Sequence, residues 1–376
     1  MINNRKLVLD TYCEVYDLLL PWADGEFYDF KIHNIVPGAI YLIGRAQFNF
    51  NKDHIRKLVE HNVIQVILSN PAEGSETLKD HCFHVHKIAD LALDNRILLI
   101  GGGDMESEWP CLQYDSFLPK ILDYDENLQA IKQSDEIFSK TQKPYKFLFL
   151  NGRIRGHRKY LIEKFNITGL LDQSIWTCLE LREGACINLS LMHNGKDLMR
   201  SIRPAKFLDP KYEVDRYSNR VGMPFDQPFA KYELFDKEWG EIYLKAAPYI
   251  DTYFSVVTET VFDYPYSFRT EKIWKPIAMG HPWIAVANAG YYRDMRDLGF
   301  RTFDSVIDER FDTIENSQDR LERIAQIVKD LCDQDLASFL KECYNTCKYN
   351  QQHLAEMRLQ VRKEFPNRFF EFLKRY

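Results

Sequence analysis

The chain of 376 residues has no long uninterrupted apolar run, which removes a membrane-spanning helix from the expected architecture. Its eight cysteines, at 13, 82, 111, 178, 186, 332, 343 and 347, lack the dense, regular spacing of a secreted disulfide framework, so a reducing compartment is expected. Neither sign of charge prevails by much. Lys and Arg number 49 against 55 Asp and Glu, giving a formal net charge of −6 and a pI of about 6.0, with both signs interspersed. Such a surface carries no broad field for gathering a polyanion, and nucleic acid is not expected as a partner. The opening stretch "MINNRKLVLDTYCEVYDLLLPWADGEFYDF" soon turns charged and aromatic and has no small-residue cleavage site. These absences together predict a soluble, cytoplasmic protein. No internal repeat or low-complexity tract stands out.

What the sequence does have is apolar bulk. Hydrophobic residues make up 45% and aromatics 14%, enough to fill more than one core. The length predicts two domains of roughly 150 to 200 residues each. In the first part, short apolar runs ending in Gly, Asn or Asp alternate with a helical pattern: "AIYLIG" (39–44), "KDHIRKLVEHN" (52–62), "VIQVILSN" (63–70) and "RILLIGGGD" (96–104). That alternation predicts a mostly parallel sheet. A polar helical stretch follows from about 105 to 145 and ends at "TQKPYK". The strand "YKFLFLNG" (145–152) then opens a second alternation, continued by the helix "RKYLIEKF", the strand "IDTYFSVVTET", the helix "TEKIWKPIAM" and the strand "PWIAVA".

The expected fold class is therefore α/β, with two Rossmann-like domains and a helical C-terminal tail. The expected boundaries are 1–142 for the first domain, 143–345 for the second, and 346–376 for a C-terminal helix packing back across the two. Residues of about 195–240 have little regular period and read as a long loop or insertion. The tail is helical from about 312, where Leu321, Ile324, Ile327, Val328 and Leu331 recur at three and four. Ligands of open α/β sheets sit at the carboxyl ends of the strands, and both motifs singled out below fall there.

The first motif, "NGRIRGHRKYLIEKF" (151–165), follows a strand and enters a helix. Asn151 ends the strand. Arg153, Arg155, His157 and Arg158 crowd eight residues with two glycines that let the backbone approach closely, a composition suited to phosphate. The arginines cannot all point one way on a regular element, so two of the three are expected to reach a ligand. The alternative is a solvated basic loop. The run lacks the Gly-Lys-Ser/Thr ending of a P-loop and is not GxGxxG.

The second motif, "SFRTEKIWKPIAMGHP" (267–282), places Glu271 and Lys272 in the first turn of a helix with Thr270 as N-cap. The helix dipole accounts for the Glu, but a Lys there is unfavourable unless something anionic lies near. A nucleoside diphosphate suits both residues, the carboxylate taking ribose hydroxyls and the ammonium and helix amides meeting phosphate. A surface Glu-Lys pair is the alternative. Pro276, six residues past the cap, is expected to kink the helix or to mark a later start.

The stretch "YFSVVTETVFDYPYSFRTEKIWKPIAMGHPWIAVANAGYYRDMRDLGFRTF" resembles the donor-binding region of the α1,3-fucosyltransferase family, with its strand, short loop, Tyr/Phe-x-Thr-Glu-Lys and apolar helix. "KFLFLNGRIRGHRKYLIEKF" is similar to that family's strand, Ser-Asn-Pro and downstream Arg segment. Both stretches resemble still more closely phage and viral glycosyltransferase-like proteins with an Asn-Gly-Arg-x-Arg-x-His-Arg run and a Thr-Glu-Lys-x-Trp-Lys-Pro run. The resemblance covers roughly residues 145 to 330, less the insertion. It implies the GT-B arrangement of two facing domains and a nucleoside diphosphate sugar as donor, with GDP-fucose as the family-based guess.

Carried over residue by residue, the resemblance implies that Glu271 holds the ribose, that Lys272 and Arg158 hold the diphosphate, and that Glu259 is the acidic residue closing the preceding strand. Gly152 stands where the family has Pro, Arg153 and Arg155 are additional, and Pro276 interrupts the helix. The donor-binding set is thus Asn151, Arg153, Arg155, Arg158, Glu259, Thr270, Glu271 and Lys272.

Transfer from such a donor requires a stabilised leaving diphosphate and a deprotonated acceptor hydroxyl. No Asp-x-Asp motif occurs in the expected place, so a metal-independent, inverting transfer to a glycan or other hydroxyl-bearing acceptor is expected, with no cofactor required. The base is expected from the first domain. "IGGGDMESE" (100–108) offers Asp104, nearest the strand end, with Glu106 as the alternative; "SNPAEGSE" (69–76) is the second candidate loop. Rival readings are a phage-type transferase acting on DNA bases and a nucleotide-sugar-binding protein without catalysis. The "HCFHVH" run (81–86) reads as strand histidines rather than a zinc site, and Cys343, Cys347 and His353 as a helix face.

Overall fold

The computed structural model describes residues 6–11, 13–27, 35–44, 52–61, 63–71, 96–105, 110–151, 155–178, 192–193, 196–197 and 244–376. Gly152, Arg153, Glu106, the "HCFHVH" run and nearly all of the expected insertion lie outside them. The chain divides into two compact units. Unit 1 comprises Met1–Pro119, Tyr264–Arg269 and Met357–Tyr376, and unit 2 comprises Lys120–Asp263 and Thr270–Glu356. Among the described residues, no helix is long and apolar enough to cross a membrane.

Unit 1 is built on six parallel strands: β1 (Lys6–Asp10), β2 (Gly25–Phe27), β3 (Ala39–Gly44), β4 (Gln65–Asn70), β5 (Ile97–Gly101) and β6 (Cys111–Gln113), in the order β2-β1-β3-β4-β5-β6. β3 and β5 are buried at every position, as expected of strands covered on both faces. Alternate residues define one of those faces: Leu7, Leu9, Ile40, Leu42, Ile67, Leu98 and Ile100 pack with Phe365, Phe369, Phe372 and Leu373 from the chain's last helix. Tyr114 and Phe365 meet with ring centroids 4.6 Å apart. Helix α1 (Tyr16–Leu19) follows β1, and α2 (Lys52–Glu60) joins β3 to β4 and buries Ile55, Leu58 and Val59 at three and four spacing.

Unit 2 contains a four-stranded parallel sheet of β7 (Phe147–Asn151), β8 (Ser174–Cys178), β11 (Phe254–Thr258) and β12 (Trp283–Val286), ordered β12-β11-β7-β8. The short antiparallel pair β9 (Met192–His193) and β10 (Lys196–Asp197) lies apart from it. The helices are α3 (Phe117–Lys120, at the boundary of the units), α4 (Asp125–Ile131), α5 (Glu136–Ser139), α6 (Gly156–Ile167), α7 (Ala246–Ile250), α8 (Glu271–Met279), α9 (Tyr291–Asp297), α10 (Ser317–Cys332) and α11 (Leu336–Arg375). Phenylalanines fill the sheet's core: Phe147 stacks on Phe254 at 5.6 Å, and Phe165 from α6 meets Phe147 and Phe149 edge-on at 5.4 Å each. Burying each such ring contributes on the order of 2 to 3 kcal/mol.

The α/β class, the Rossmann-like strand order and the long C-terminal helix agree with the sequence pattern. Residues 120–142, expected with the first domain, are part of unit 2. Their polar pattern hides specific anchors: buried Asn127 accepts from the Leu244 amide at 2.7 Å, and Lys140 pairs with Asp251. The expected separate helix 346–376 is the continuation of α11. That helix belongs to unit 2 as far as Glu356 and to unit 1 from Met357. Pro366 inside it gives up one bond to the preceding turn, at a point where Phe365 and Phe369 are fully buried.

Candidate functional site

The order of the second sheet creates one distinctive place. From β7 the chain moves through α6 to β8 on one side, and β11 then pairs on the other, with Phe254 opposite Phe147. The sheet therefore reverses its progression between β7 and β11. In open α/β sheets, ligands bind beyond the carboxyl ends of the strands at such a point. Here those ends are Asn151 and Thr258, both buried, and the Thr258 hydroxyl donates to Asn151 Oδ1 at 2.6 Å.

Glu259, the next residue, is fully buried and organises what surrounds it. Its carboxylate accepts four bonds: from the Thr270 amide (3.1 Å), the Thr270 hydroxyl (2.6 Å), the Tyr291 hydroxyl (3.0 Å) and the Thr260 amide (3.3 Å). Burial pushes this carboxyl above the ordinary range, and Lys272 and Thr270 work in the opposite direction. Its own carbonyl receives the Arg158 guanidinium at 3.1 Å and His157 Nε2 at 3.0 Å. Because the acceptor is a carbonyl, Nε2 carries the proton. Burial, with Arg158 adjacent, pushes His157 down to about 3, so the ring is neutral, and it stacks on Phe262 at 5.3 Å.

Two helix starts thus meet at one residue. His157 and Arg158 stand in the first turn of α6, and Thr270 is the N-cap of α8. Thr270 adopts extended backbone, and its hydroxyl accepts from the Lys272 amide at 3.3 Å, as a capping threonine does. At α6 the N-cap is Arg155, whose side chain makes no capping bond, and Gly156 faces open space where a Cβ would stand. Helix N-termini carry partial positive charge and N–H groups that point outward, so two of them converging favour an anion.

The charged side chains add to this. Lys272 is 22% exposed, pairs with Glu271, and lies 3.3 Å from both the Thr260 and Thr270 hydroxyls. Burial by itself would raise the Glu271 carboxyl, but Lys272 and Lys275 more than offset it and leave it below its usual range. Pro276 neither delays nor ends α8, which runs from Glu271 to Met279 and closes on Gly280 in the left-handed conformation (φ 62°). A proline this near the start costs the helix a single bond, to the Lys272 carbonyl.

The structure accordingly brings together Asn151, Arg158, Glu259, Thr270, Glu271 and Lys272, while Arg155 is exposed beside them. Arg158 does not project outward. It is 2% exposed and donates to the carbonyls of Thr258 (3.0 Å) and Glu259 (3.1 Å), ending the strand with a positive charge. Tyr291 escaped the sequence reading. Its bond to Glu259 spans 32 residues and leaves no local pattern. Arg320 escaped it too: fully enclosed, it gathers the carbonyls of Phe262, Ala287, Ile314 and Glu315 and so fixes the loop after β11.

In unit 1, Asp104 follows Gly101–Gly103 at the end of β5, and both its oxygens bind Arg269, at 2.5 and 2.6 Å. Asp115 accepts from the same guanidinium at 2.8 Å. The glycines serve chain packing. A Cβ at Gly102 would collide with the Phe268 ring, and one at Gly103 (φ +63°) with the Ser267 carbonyl oxygen; the Asp104 amide donates to that same oxygen at 2.9 Å. In the second candidate loop, Ser69 donates to Glu14 at 3.2 Å and the Pro71 carbonyl accepts from Ser116 at 3.3 Å, while residues 72–76 lie outside the described residues. Among the described residues, no group of three or more His, Cys, Asp or Glu is placed to hold a metal ion. Cys343 and Cys347 are buried in α11, where His353 Nε2 bonds the Leu298 carbonyl at 2.8 Å. Comparison of the chain with protein-family models, curated proteins and solved structures returns no match.

Proposed function

We propose that the chain is a glycosyltransferase that takes its sugar from a nucleoside diphosphate sugar bound by unit 2 and passes it to an acceptor hydroxyl. The observation that carries this reading is the meeting of the α6 and α8 N-termini at Glu259, with Arg158 and Lys272 beside them at the switch point of a parallel sheet. Such a place suits a diphosphate. The amides and the Lys272 ammonium meet the charge that develops on the leaving group, and they are fixed before reaction rather than reorganised during it. Glu271, held ionised beside Lys272, is the carboxylate suited to ribose hydroxyls. The proposed transfer is inverting and uses no divalent metal at the diphosphate, and GDP-fucose is the first donor to try, on the strength of the motif resemblance.

One observation favours a second reading, binding without transfer. Asp104, the carboxylate expected to act as base, has both oxygens committed to Arg269. A thermal-shift panel of GDP, UDP, ADP, CDP and TDP in EDTA, followed by incubation of the matching sugar nucleotides, separates the two. Ligand binding to the folded state raises the apparent stability. A shift with one diphosphate and release of that diphosphate from its sugar supports a transferase; a shift without release supports the binding protein. Silence across the panel removes both readings.

A further inference from the structure

Of the four bonds that the Glu259 carboxylate accepts, two come from Thr270, the cap being positioned, and one from its own neighbour Thr260. The fourth comes from another helix of unit 2. The Tyr291 hydroxyl donates at 3.0 Å to Oε1, the oxygen that also accepts the Thr270 amide. Tyr291 opens α9, the helix that follows β12, and is 1% exposed. The first turn of α9 is itself fixed, because Asp312 accepts the Tyr292 amide at 3.0 Å and the Arg293 amide at 3.2 Å. The hydroxyl therefore reaches Glu259 from an anchored helix start with a buried ring behind it.

We infer that Tyr291 is a positioning residue for the anion site: its hydroxyl sets the orientation of the Glu259 carboxylate, and through it the N-cap of α8, without touching the ligand. The torsion that turns a glutamate carboxylate is broad and roughly two-fold, so the bonds it accepts choose its plane. Thr260 and Thr270 flank the loop whose two ends Glu259 ties together, and they move with it. Tyr291 supplies the reference from outside that loop, and a hydrogen bond to an ionised carboxylate is roughly twice as strong as one between neutral groups. The charged groups acting on the carboxylate are Lys272, which favours its ionised form, and Glu271, which opposes it; Arg158 and the neutral His157 of α6 reach its carbonyl instead. A phenol bonded to the ionised form favours it too. Its loss raises the pH at which Glu259 takes up a proton and ceases to accept on both oxygens.

The inference rests on the anion site proposed above, and its test is chosen so that the two fail separately. Tyr291→Phe, which keeps the buried ring, is compared in the full chain with the wild type and with Tyr292→Phe. Tyr292 is the control: it lies in the same helix and is also buried, but its hydroxyl accepts from the Ala285 amide at 2.8 Å. Amide hydrogen exchange is followed from pH 7 down to pH 5, and calorimetry with inorganic pyrophosphate and GDP is run in EDTA well below the thermal midpoints. Expected of Tyr291→Phe alone is faster exchange at residues 271–273, setting in at a higher pH than in the wild type, with exchange in β7 unchanged. Its pyrophosphate affinity is expected to be lower by about fivefold or more, a typical size for coupling between sites. Replacement of Tyr291 by 3-fluorotyrosine keeps the hydroxyl and makes it a stronger donor; it is expected to slow exchange at 271–273 and serves if the Phe variant does not fold. Exchange at 271–273 that is unchanged, or altered equally by Tyr292→Phe, overturns the inference whether or not any ligand binds. A lower affinity with exchange unaltered overturns it as well. The exchange effect without pyrophosphate or GDP binding by the wild type overturns the anion site and leaves the positioning role of Tyr291 standing.

Discussion

At the carboxyl end of β11 the carboxylate of Glu259 is ringed by hydroxyls and amides, whereas just past β5 the carboxylate of Asp104 meets a guanidinium. The two acidic strand ends look alike in sequence, and the difference in partners decides what each can do. Neutral donors impose precise directions on the buried carboxylate, with Lys272 acting on it from nearby, so Glu259 orients two helix starts and the field they create. An arginine partner neutralises Asp104 and ties down a passing segment of chain. Glycine follows the same division. Gly103 is needed because backbone occupies the place of its side chain, while Gly156 leaves space unfilled at the head of a helix.

That contrast is open to breaking. The largest effect is expected at Gly103. Replacement by Ala imposes an unfavourable positive φ together with a collision against the Ser267 carbonyl, costing about 3 kcal/mol or more, measurable as a lower urea midpoint. Arg158→Ala ranks next at roughly 2 to 3 kcal/mol, because it leaves two buried carbonyls, of Thr258 and Glu259, without that donor. A stability indistinguishable from wild type in that variant would show that Arg158 is not needed to close the strand.

A smaller effect separates the regions by pH. His157 and His281 in unit 2 are pushed down to about 3, chiefly by burial, from an ordinary value of 6.5. Between those limits the unfolded chain binds more protons than the folded one, so stability is complete above about 6.5 and declines as the pH falls toward 3. His157→Gln, which keeps a donor for the Glu259 carbonyl, is expected to make the fall in urea midpoint between pH 7 and pH 5 shallower; an equal slope would contradict a neutral, buried His157. The smallest effect is at Gly156, where Ala meets nothing and the backbone is helical. Its stability is expected to be equal to wild type or higher by about 0.5 kcal/mol.

How far these regions were legible follows from the range of the contacts involved. Ala39–Gly44, Ile97–Gly101 and Glu271–Met279 declare themselves through short-range pattern: continuous burial in a parallel strand, or a capping threonine followed by an apolar face. β1, β6 and β8 did not, being short and flanked by charged or mixed residues. The start of α8, where the anion site is proposed, was readable from its cap, at Thr270, Glu271 and Lys272. The pairing of Arg269 with Asp104 joins residues 165 apart, and no periodicity announces it, so a strand-end carboxylate after a glycine run looked available for catalysis. The side chain of Arg158 likewise looked like a ligand contact, because its charge is visible in sequence and the two strand-end carbonyls that claim it are not.

The most direct test of the central claim is titration calorimetry of the nucleoside diphosphate selected by the panel, in EDTA, against the wild type and Lys272→Ala. Lys272→Ala also takes from the buried Glu271 its ion-pair partner, so the variant is expected to have a lower thermal midpoint and the titration is run well below it, where a loss of about tenfold in affinity is expected. Equal affinities for the two proteins, or no binding heat from either, would contradict the assignment of this helix start as the diphosphate site.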